Sequence, residues 1–200
     1  MIKINIGCGG RPLKEYINID MDTKEELEKR YLNLKITDDI ILKQYDIYNL
    51  PFADNEVDEI LCEALIEHIP FTHEEVFFRE IARVLKTGGK LYISTPNFEK
   101  TARQWLEADD DWKDFFKNDD KSISNQHWFG THTYEPNNRW GYLTAMIFGS
   151  QNGEGQFHHN CYTEKKIKKI IQKINLKLVS VEHFRWKGDR DHMLGVNITK

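Results

Sequence analysis

The chain has 200 residues, a length that fits one domain built around one sizeable core. It is 40% hydrophobic and 30% charged, which is typical of a soluble globular protein. The formal net charge of -4 argues against a nucleic-acid binder, which usually presents a basic face, and no apolar run approaches the roughly 18 residues that a membrane helix needs.

The first half of the chain alternates predicted strands with predicted helices. Strands are predicted at residues 2–6, 16–19, 40–47, 57–62 and 90–95, and helices at about 24–33 and 72–86. Thr23 with Glu26 has the spacing of a capping box, and Thr72 with Glu75 repeats it. Gly89 and the glycine before it predict the end of the second helix. Strands that alternate with helices imply right-handed crossovers and a parallel sheet.

Residues 98–160 interrupt this alternation. More than half of the aromatic residues of the chain lie between Phe98 and Tyr162, whereas a disordered segment would be poor in them. We therefore predict one domain spanning residues 1–200, with a folded insertion at about 98–160 that covers the active site beyond the end of a parallel strand. The acidic run at 107–120 is interpreted as a solvated helix face, with recognition of a cationic acceptor as the alternative.

The alternation resumes near the C-terminus. Thr163 is the predicted N-cap of a helix with an isoleucine face, and strands follow at 176–184 and 192–199. The connection between these strands is too short for a helical crossover, so they should be antiparallel. The predicted fold class is α/β, a Rossmann-like three-layer sandwich with a seven-stranded, mostly parallel sheet and an antiparallel last strand.

Glycines directly follow the first predicted strand. Gly7, Gly9 and Gly10 let the backbone approach a ligand closely, and Asp20 ends the second strand, where a carboxylate can accept hydrogen bonds from both hydroxyls of a ribose. The dinucleotide pattern needs a third glycine and an acid about 20 residues on, but Asp20 stands only 13 positions past Gly7. A cofactor with ribose and adenine and no pyrophosphate fits better, which argues against a nicotinamide-dependent oxidoreductase.

Several motifs then resemble one family. Ile6-Gly7-Cys8-Gly9 is similar to the first motif of class I S-adenosylmethionine-dependent methyltransferases of the type 11-like group. Residues 50–60, Glu67-His68-Ile69, residues 80–89 and residues 147–163 resemble later motifs of that group in the same order. Asn5 departs from the pattern, because the family usually has an acid there, and the connection from Gly10 to Tyr16 is too short for the family's first helix.

The resemblance implies S-adenosylmethionine as the cofactor and a set of residues around it. Asp20 would bind the ribose, and Asp46 with Ile47 would flank the adenine. The full predicted cofactor set is Gly7, Cys8, Gly9, Asp20, Asp46, Ile47 and Glu63. Cys8 is interpreted as a small packing residue beside the ligand and not as a nucleophile.

The implied activity is methyl transfer to oxygen or nitrogen of a small-molecule acceptor. The sulfonium already activates the methyl group, so the protein mainly aligns the reactants, and a base removes a proton where the acceptor carries one. Histidine suits that task at neutral pH, and the predicted catalytic residues are His158 and His68. The other candidates are His127, His132 and His159. For each histidine a structural or substrate-lining role is the alternative.

The remaining expectations concern metals, partners and the cell. We expect no metal, the alternative being a site where His158 and His159 meet another histidine. Cys8, Cys62 and Cys161 are odd in number and lack CxxC spacing, which predicts no disulfide framework and a reducing, cytoplasmic setting. Nucleic acid is an unlikely acceptor and the oligomeric state is left open. The alternative function is a non-catalytic protein that binds S-adenosylmethionine or S-adenosylhomocysteine.

Overall fold

A sheet of seven strands runs through the part of the chain that the structure describes. The computed structural model describes residues 1–107, 139–151, 153–184 and 192–200, without the side chains of residues 139–142. The strands are β1 (Lys3–Ile6), β2 (Ile17–Ile19), β3 (Ile41–Lys43), β4 (Val57–Glu63), β5 (Leu85–Pro96), β6 (Lys177–Phe184) and β7 (Met193–Thr199). Their order is β3-β2-β1-β4-β5-β7-β6. The first five are parallel, and β7 is antiparallel to both β5 and β6, which confirms the predicted fold class.

Helices connect the strands. The described helices are α1 (Lys24–Arg30), α2 (Glu74–Val84), α3 (Phe98–Leu106), α4 (Arg139–Phe148) and α5 (Glu164–Lys173). None of them is long and apolar enough to cross a bilayer. Residues 108–138, which hold about half of the predicted insertion, lie outside the described part, so the insertion stays a prediction.

The core forms where helices cover the sheet. Ile4 and Ile6 of β1 and Ile60 of β4 are fully buried, as expected for central parallel strands. The aromatic face of α2 at Phe77 and the isoleucine face of α5 at Ile167 pack into the same cluster. This packing holds the carboxyl ends of β1 and β4 rigidly beside each other.

Two predicted helix starts are confirmed. Thr23 accepts a hydrogen bond from the Glu26 amide, and the Glu26 carboxylate accepts one from the Thr23 amide, so the capping box is complete. Thr163 likewise caps α5 through the Lys166 amide. Each cap satisfies amides that the first helical turn leaves unpaired.

Both predicted ends of α2 are wrong. The helix is entered from a 3-10 turn at Phe71–His73, so Thr72 lies inside that turn and caps nothing. The helix ends at Val84, and Leu85 is already extended. Its last carbonyls accept the amides of residues 55 and 56, at 2.9 and 3.0 Å. Because a tertiary contact satisfies these carbonyls, no glycine cap is needed.

Two other elements are shorter than predicted. β3 ends at Lys43 rather than at residue 47, which leaves residues 44–56 as a connection that starts at the carboxyl edge of the sheet. α1 ends at Arg30 rather than at residue 33, because the chain turns at Tyr31.

The connection between β1 and β2 contains no helix. The buried Asn5 donates to the Arg11 carbonyl at 3.1 Å and to the Asn18 side chain at 3.0 Å. Asn18 in turn bonds both the amide and the carbonyl of Leu13. These two asparagines supply the hydrogen bonds that fix the short loop, which gives Asn5 a structural role where the family usually has an acid.

Candidate functional site

A cavity of about 580 Å³ opens at the carboxyl edge of the sheet. It lies beside the ends of β1 and β4, where the chain order of the strands reverses direction. Such a switch point is the usual ligand site of an open α/β sheet. Its lining combines the loop after β1, the end of β2, the loop after β3, the end of β4 and the segment after α4.

The glycine loop is shaped by close neighbours on both sides. Gly7 has φ +67, and a Cβ there would lie 2.8 Å from the Leu65 side chain. The Tyr31 ring covers the other side, and a Cβ on Gly10 would lie 2.9 Å from it. The glycines are therefore required by close approach of protein groups as well as by any ligand.

Asp20 links the glycine loop to the second strand. Its Oδ2 accepts the Gly9 amide at 2.8 Å, and its Oδ1 accepts the Asp22 amide at 3.1 Å. The Cys8 thiol lies 3.8 Å from the same carboxylate. Burial, followed by the charge of Asp20, raises the pKa of Cys8 to about 12, so this cysteine is a poor nucleophile.

The loop after β3 forms one wall of the cavity. Asp46 accepts the Tyr48 amide at 2.9 Å in a tight turn, which presents Ile47 and Tyr45 to the cavity. An exposed carboxylate beside apolar side chains suits a flat, hydrogen-bonding ring such as adenine.

A buried carboxyl group marks the opposite end. Glu67 is only 2% exposed, and its Oε2 accepts a hydrogen bond from the Thr95 hydroxyl at 3.0 Å. Burial raises the pKa of Glu67 to about 8. This carboxyl group lines the cavity beside His68 and His158.

The two histidines face each other across that end. Their ring centroids are 4.7 Å apart and the rings are nearly perpendicular. Burial lowers the pKa of His68, and burial together with the neighbouring His68 lowers the pKa of His158 to about 4. Both imidazoles are therefore neutral near pH 7.

Backbone hydrogen bonds hold the His158 segment against the short 3-10 turn at Ile66–His68, which carries Glu67. The Glu67 carbonyl accepts the amides of His159 and Asn160, at 2.8 and 3.1 Å. The His158 amide donates to the Phe148 carbonyl at 3.1 Å, at the end of α4. Residues about 90 positions apart thus meet at fixed distances.

The cavity brings together most of the predicted site residues. Those that line it are Gly7, Gly9, Asp20, Asp46, Ile47, His68 and His158. Cys8 lies behind the loop, and Glu63 points toward Arg11, with 3.4 Å between the charged atoms; neither lines the cavity. His127 and His132 lie outside the described residues, and the exposed His159 is not among the lining residues.

Two residues at the site were missed by sequence reasoning. Glu67 is part of the Glu67-His68 pair, and an acid inside an otherwise apolar stretch was the available signal. Tyr31 had no signal, because its role depends on where α1 ends.

The fold and the cleft together define the class I S-adenosylmethionine-dependent methyltransferase fold. Residues 4–93 match the sequence model of a family described as "Methyltransferase domain". The predicted resemblance is thereby confirmed over these residues, and the fold neighbours include S-adenosylmethionine-dependent methyltransferases.

Individual proteins are similar to this chain in sequence or in fold. An uncharacterized protein of Methanocaldococcus jannaschii is 30% identical over 118 residues, which cover 57% of this chain and 48% of that protein, so the chain spans about half the length of this curated relative. A Methanosarcina mazei S-adenosylmethionine-dependent methyltransferase has a similar fold, with a TM-score of 0.57, 16% identity and coverage of 99% and 91% of the two chains. Burkholderia thailandensis 1,6-didemethyltoxoflavin-N1-methyltransferase, with its substrate and S-adenosylhomocysteine bound, gives a TM-score of 0.55, 10% identity and coverage of 100% and 70%.

Proposed function

We propose that the protein transfers a methyl group from S-adenosylmethionine to oxygen or nitrogen of a small-molecule acceptor. The observation that carries the proposal is that one cavity joins the glycine loop and Asp20 to a histidine pair. The first end has the groups that a nucleoside cofactor needs, and the second has neutral imidazoles for an acceptor.

The residues present fit the cofactor. The half-buried Asp20 carboxylate would accept hydrogen bonds from the ribose hydroxyls, and Asp46 with Ile47 would flank the adenine. Gly7 and Gly9 would let the backbone approach the amino-acid portion. Cys8 and Glu63 lie behind the residues that line the cavity. Cys8 would support them by packing, and Glu63 would act on them through its charge.

At the other end the chain has two tasks. It aligns the acceptor atom with the methyl group for in-line displacement, and it excludes water from that path. Where the acceptor carries a proton, the Nε2 lone pair of His68 or His158 receives it or orients the group that holds it.

The small-molecule assignment is supported by the shape and charge of the protein. A cavity of about 580 Å³ is of the size that small ligands occupy, and the net charge of -4 disfavours a nucleic-acid acceptor. The fold neighbour from B. thailandensis is named for a small heterocyclic substrate, which is consistent with this assignment. Three free thiols support a reducing compartment, the cytoplasm, as its location.

A binding protein without catalysis is the second candidate. Tyr31 packs on the glycine loop and the Gly9 amide already occupies Asp20, so the cofactor end is partly engaged by the protein itself. Turnover of S-adenosylmethionine to S-adenosylhomocysteine with a panel of hydroxyl and amine acceptors separates the two candidates, because a binding protein produces none.

The first experiment is calorimetric titration with S-adenosylmethionine and S-adenosylhomocysteine. The native protein should bind both, and Asp20→Asn should weaken binding by about tenfold or more, which corresponds to the loss of charged hydrogen bonds to the ribose, about 1.4 kcal/mol or more. Asp38→Asn removes the same charge at an exposed position away from the cavity and should bind like the native protein. Equal affinities for the two variants would contradict the assignment of Asp20.

A further inference from the structure

We propose that Glu67, His68 and His158 form a binding site for a divalent transition-metal ion at the acceptor end of the cavity. One ligand atom from each residue, a carboxylate oxygen and two imidazole nitrogens, lies within 4.8 Å of the other two. All three residues line the same cavity as the glycine loop. This proposal replaces the expectation, drawn from the sequence, that the protein holds no metal.

The tautomers of both histidines are fixed for metal binding. His68 Nδ1 lies 2.9 Å from the Phe157 carbonyl oxygen, and His158 Nδ1 lies 3.2 Å from the Met146 carbonyl oxygen. A carbonyl only accepts, so each Nδ1 must carry the proton and donate it. Each Nε2 is left with a lone pair. A backbone carbonyl on the other ring nitrogen is the usual outer partner of a metal-bound histidine.

When Glu67 is ionised, the three groups offer more acceptors than donors; below its raised pKa, the Glu67 proton takes the place of the ion. Because both Nδ1 atoms donate to carbonyls, the nitrogens left to bind an ion are the two Nε2 atoms, and the Thr95 hydroxyl is the donor to Glu67 among the described contacts. A cation would satisfy all three at once. Two histidines and one glutamate, with a further position left open, are a known ligand set of catalytic zinc.

The geometry requires a small contraction. Tetrahedral ligands at about 2.0–2.1 Å from zinc lie about 3.3 Å apart, whereas the present separations reach 4.8 Å. Side-chain rotations can close that difference, because the backbones of the two segments are already joined by the two hydrogen bonds to the Glu67 carbonyl.

His159 is excluded as the second histidine of such a site. It is exposed, and its ring stacks on Phe157 with 6.4 Å between centroids. The adjacent histidines thus point in different directions, and the partner of His158 is His68.

The consequence for chemistry rests on the proposed function. With both Nε2 lone pairs on the metal, the histidines would no longer act as bases, and an acceptor hydroxyl bound at the open position would lose its proton to solvent, because a metal ion lowers the pKa of a bound hydroxyl. The resulting oxygen anion would form a bond to the methyl carbon as the carbon–sulfur bond breaks, and the electron pair would leave on the sulfur of S-adenosylhomocysteine. The site therefore favours oxygen acceptors.

The test is metal binding by the full chain after treatment with a chelator. Zn²⁺ is titrated by calorimetry, and Co²⁺ is titrated while its visible absorption is recorded. We expect one ion per chain and a Co²⁺ spectrum typical of nitrogen and oxygen ligands. His158→Ala and His68→Ala should each weaken binding by at least about tenfold, since even the loss of an outer partner costs about 10–100-fold. His159→Ala, the neighbouring exposed histidine, should bind like the native protein.

Two results would overturn the site: no binding by the native chain, or equal binding by the His158→Ala and His159→Ala variants. Titration with S-adenosylmethionine in the absence of metal tests the cofactor end separately, so failure of one proposal is distinguishable from failure of the other. It also shows that a variant is folded. If His158→Ala does not fold, His158→Asn, which keeps a polar side chain but no imidazole, replaces it.

Discussion

Gly149→Ala should damage the protein more than the same change at Gly88, although the two glycines have nearly the same backbone conformation. Gly149 has φ +80 and Gly88 has φ +78. A Cβ on Gly149 would lie 2.1 Å from the Gln156 carbonyl oxygen and 3.0 Å from the His158 amide nitrogen, whereas a Cβ on Gly88 would meet nothing within 4 Å. Comparing the two variants therefore separates the cost of steric overlap from the cost of the backbone conformation.

The expected losses of unfolding free energy follow from the backbone preference and the steric overlap. Alanine at positive φ costs about 1–2 kcal/mol, partly offset by the lower entropy of the unfolded chain, so Gly88→Ala should lose about 1 kcal/mol. Gly149→Ala adds an overlap that only a shift of the backbone relieves, at a further 1–3 kcal/mol or about 3 kcal/mol in all. The shift would also displace the backbone at His158, and with it the distance between His158 and His68.

Urea unfolding followed by circular dichroism measures the unfolding free energy of both variants. Zn²⁺ titration shows whether a displaced His158 weakens metal binding. We expect a difference in unfolding free energy of about 2 kcal/mol between the variants, with metal binding weakened only by Gly149→Ala. Equal unfolding free energies for the two variants would refute the steric argument.

Three further predictions test the fold. Thr163→Ala should lower the unfolding free energy by about 1 kcal/mol because a helix cap is lost, whereas Thr72→Ala should leave it unchanged, and thermal melts compare the two. Hydrogen bonds from Arg83 lower the pKa of Glu80, so the stabilisation by Glu80 exists above its unfolded pKa and disappears as the pH falls through the folded value. Glu80→Gln should therefore cost about 1–2 kcal/mol at pH 7 and progressively less below about pH 4, as measured by urea unfolding across pH. Iodoacetamide at pH 8 should label the exposed Cys161 first, and mass spectrometry should find the two buried cysteines labelled only after unfolding.

Local signals predicted the architecture well. Strand runs, helix periodicity and the short connection between the last two strands fixed the parallel sheet and its antiparallel end. Thr23 and Thr163 were predicted correctly as caps because their partners lie three residues away. The helix ends that depend on distant groups were predicted wrongly, as at Val84, whose carbonyl bonds the amide of residue 56.

The candidate site divides in the same way. Gly7, Asp20 and Asp46 follow consecutive strands, so their meeting at one edge could be inferred from the topology. The pairing of His68 with His158 was not predicted, because it depends on how the chain returns after α4. Tyr31 was missed because the early end of α1 decides where its ring lies.

The amides of residues 159 and 160 donate hydrogen bonds to the Glu67 carbonyl. These bonds join a part of the chain that the family model matches to a part that it does not match. Residues 4–93, the part that matches the methyltransferase family model, contain most of the residues that line the cavity, including Glu67 and His68. His158 comes from the later part of the chain, which that match does not cover. On the proposed function, replacing the later segment would change the acceptor end, while residues 4–93 keep the glycine loop and Asp20.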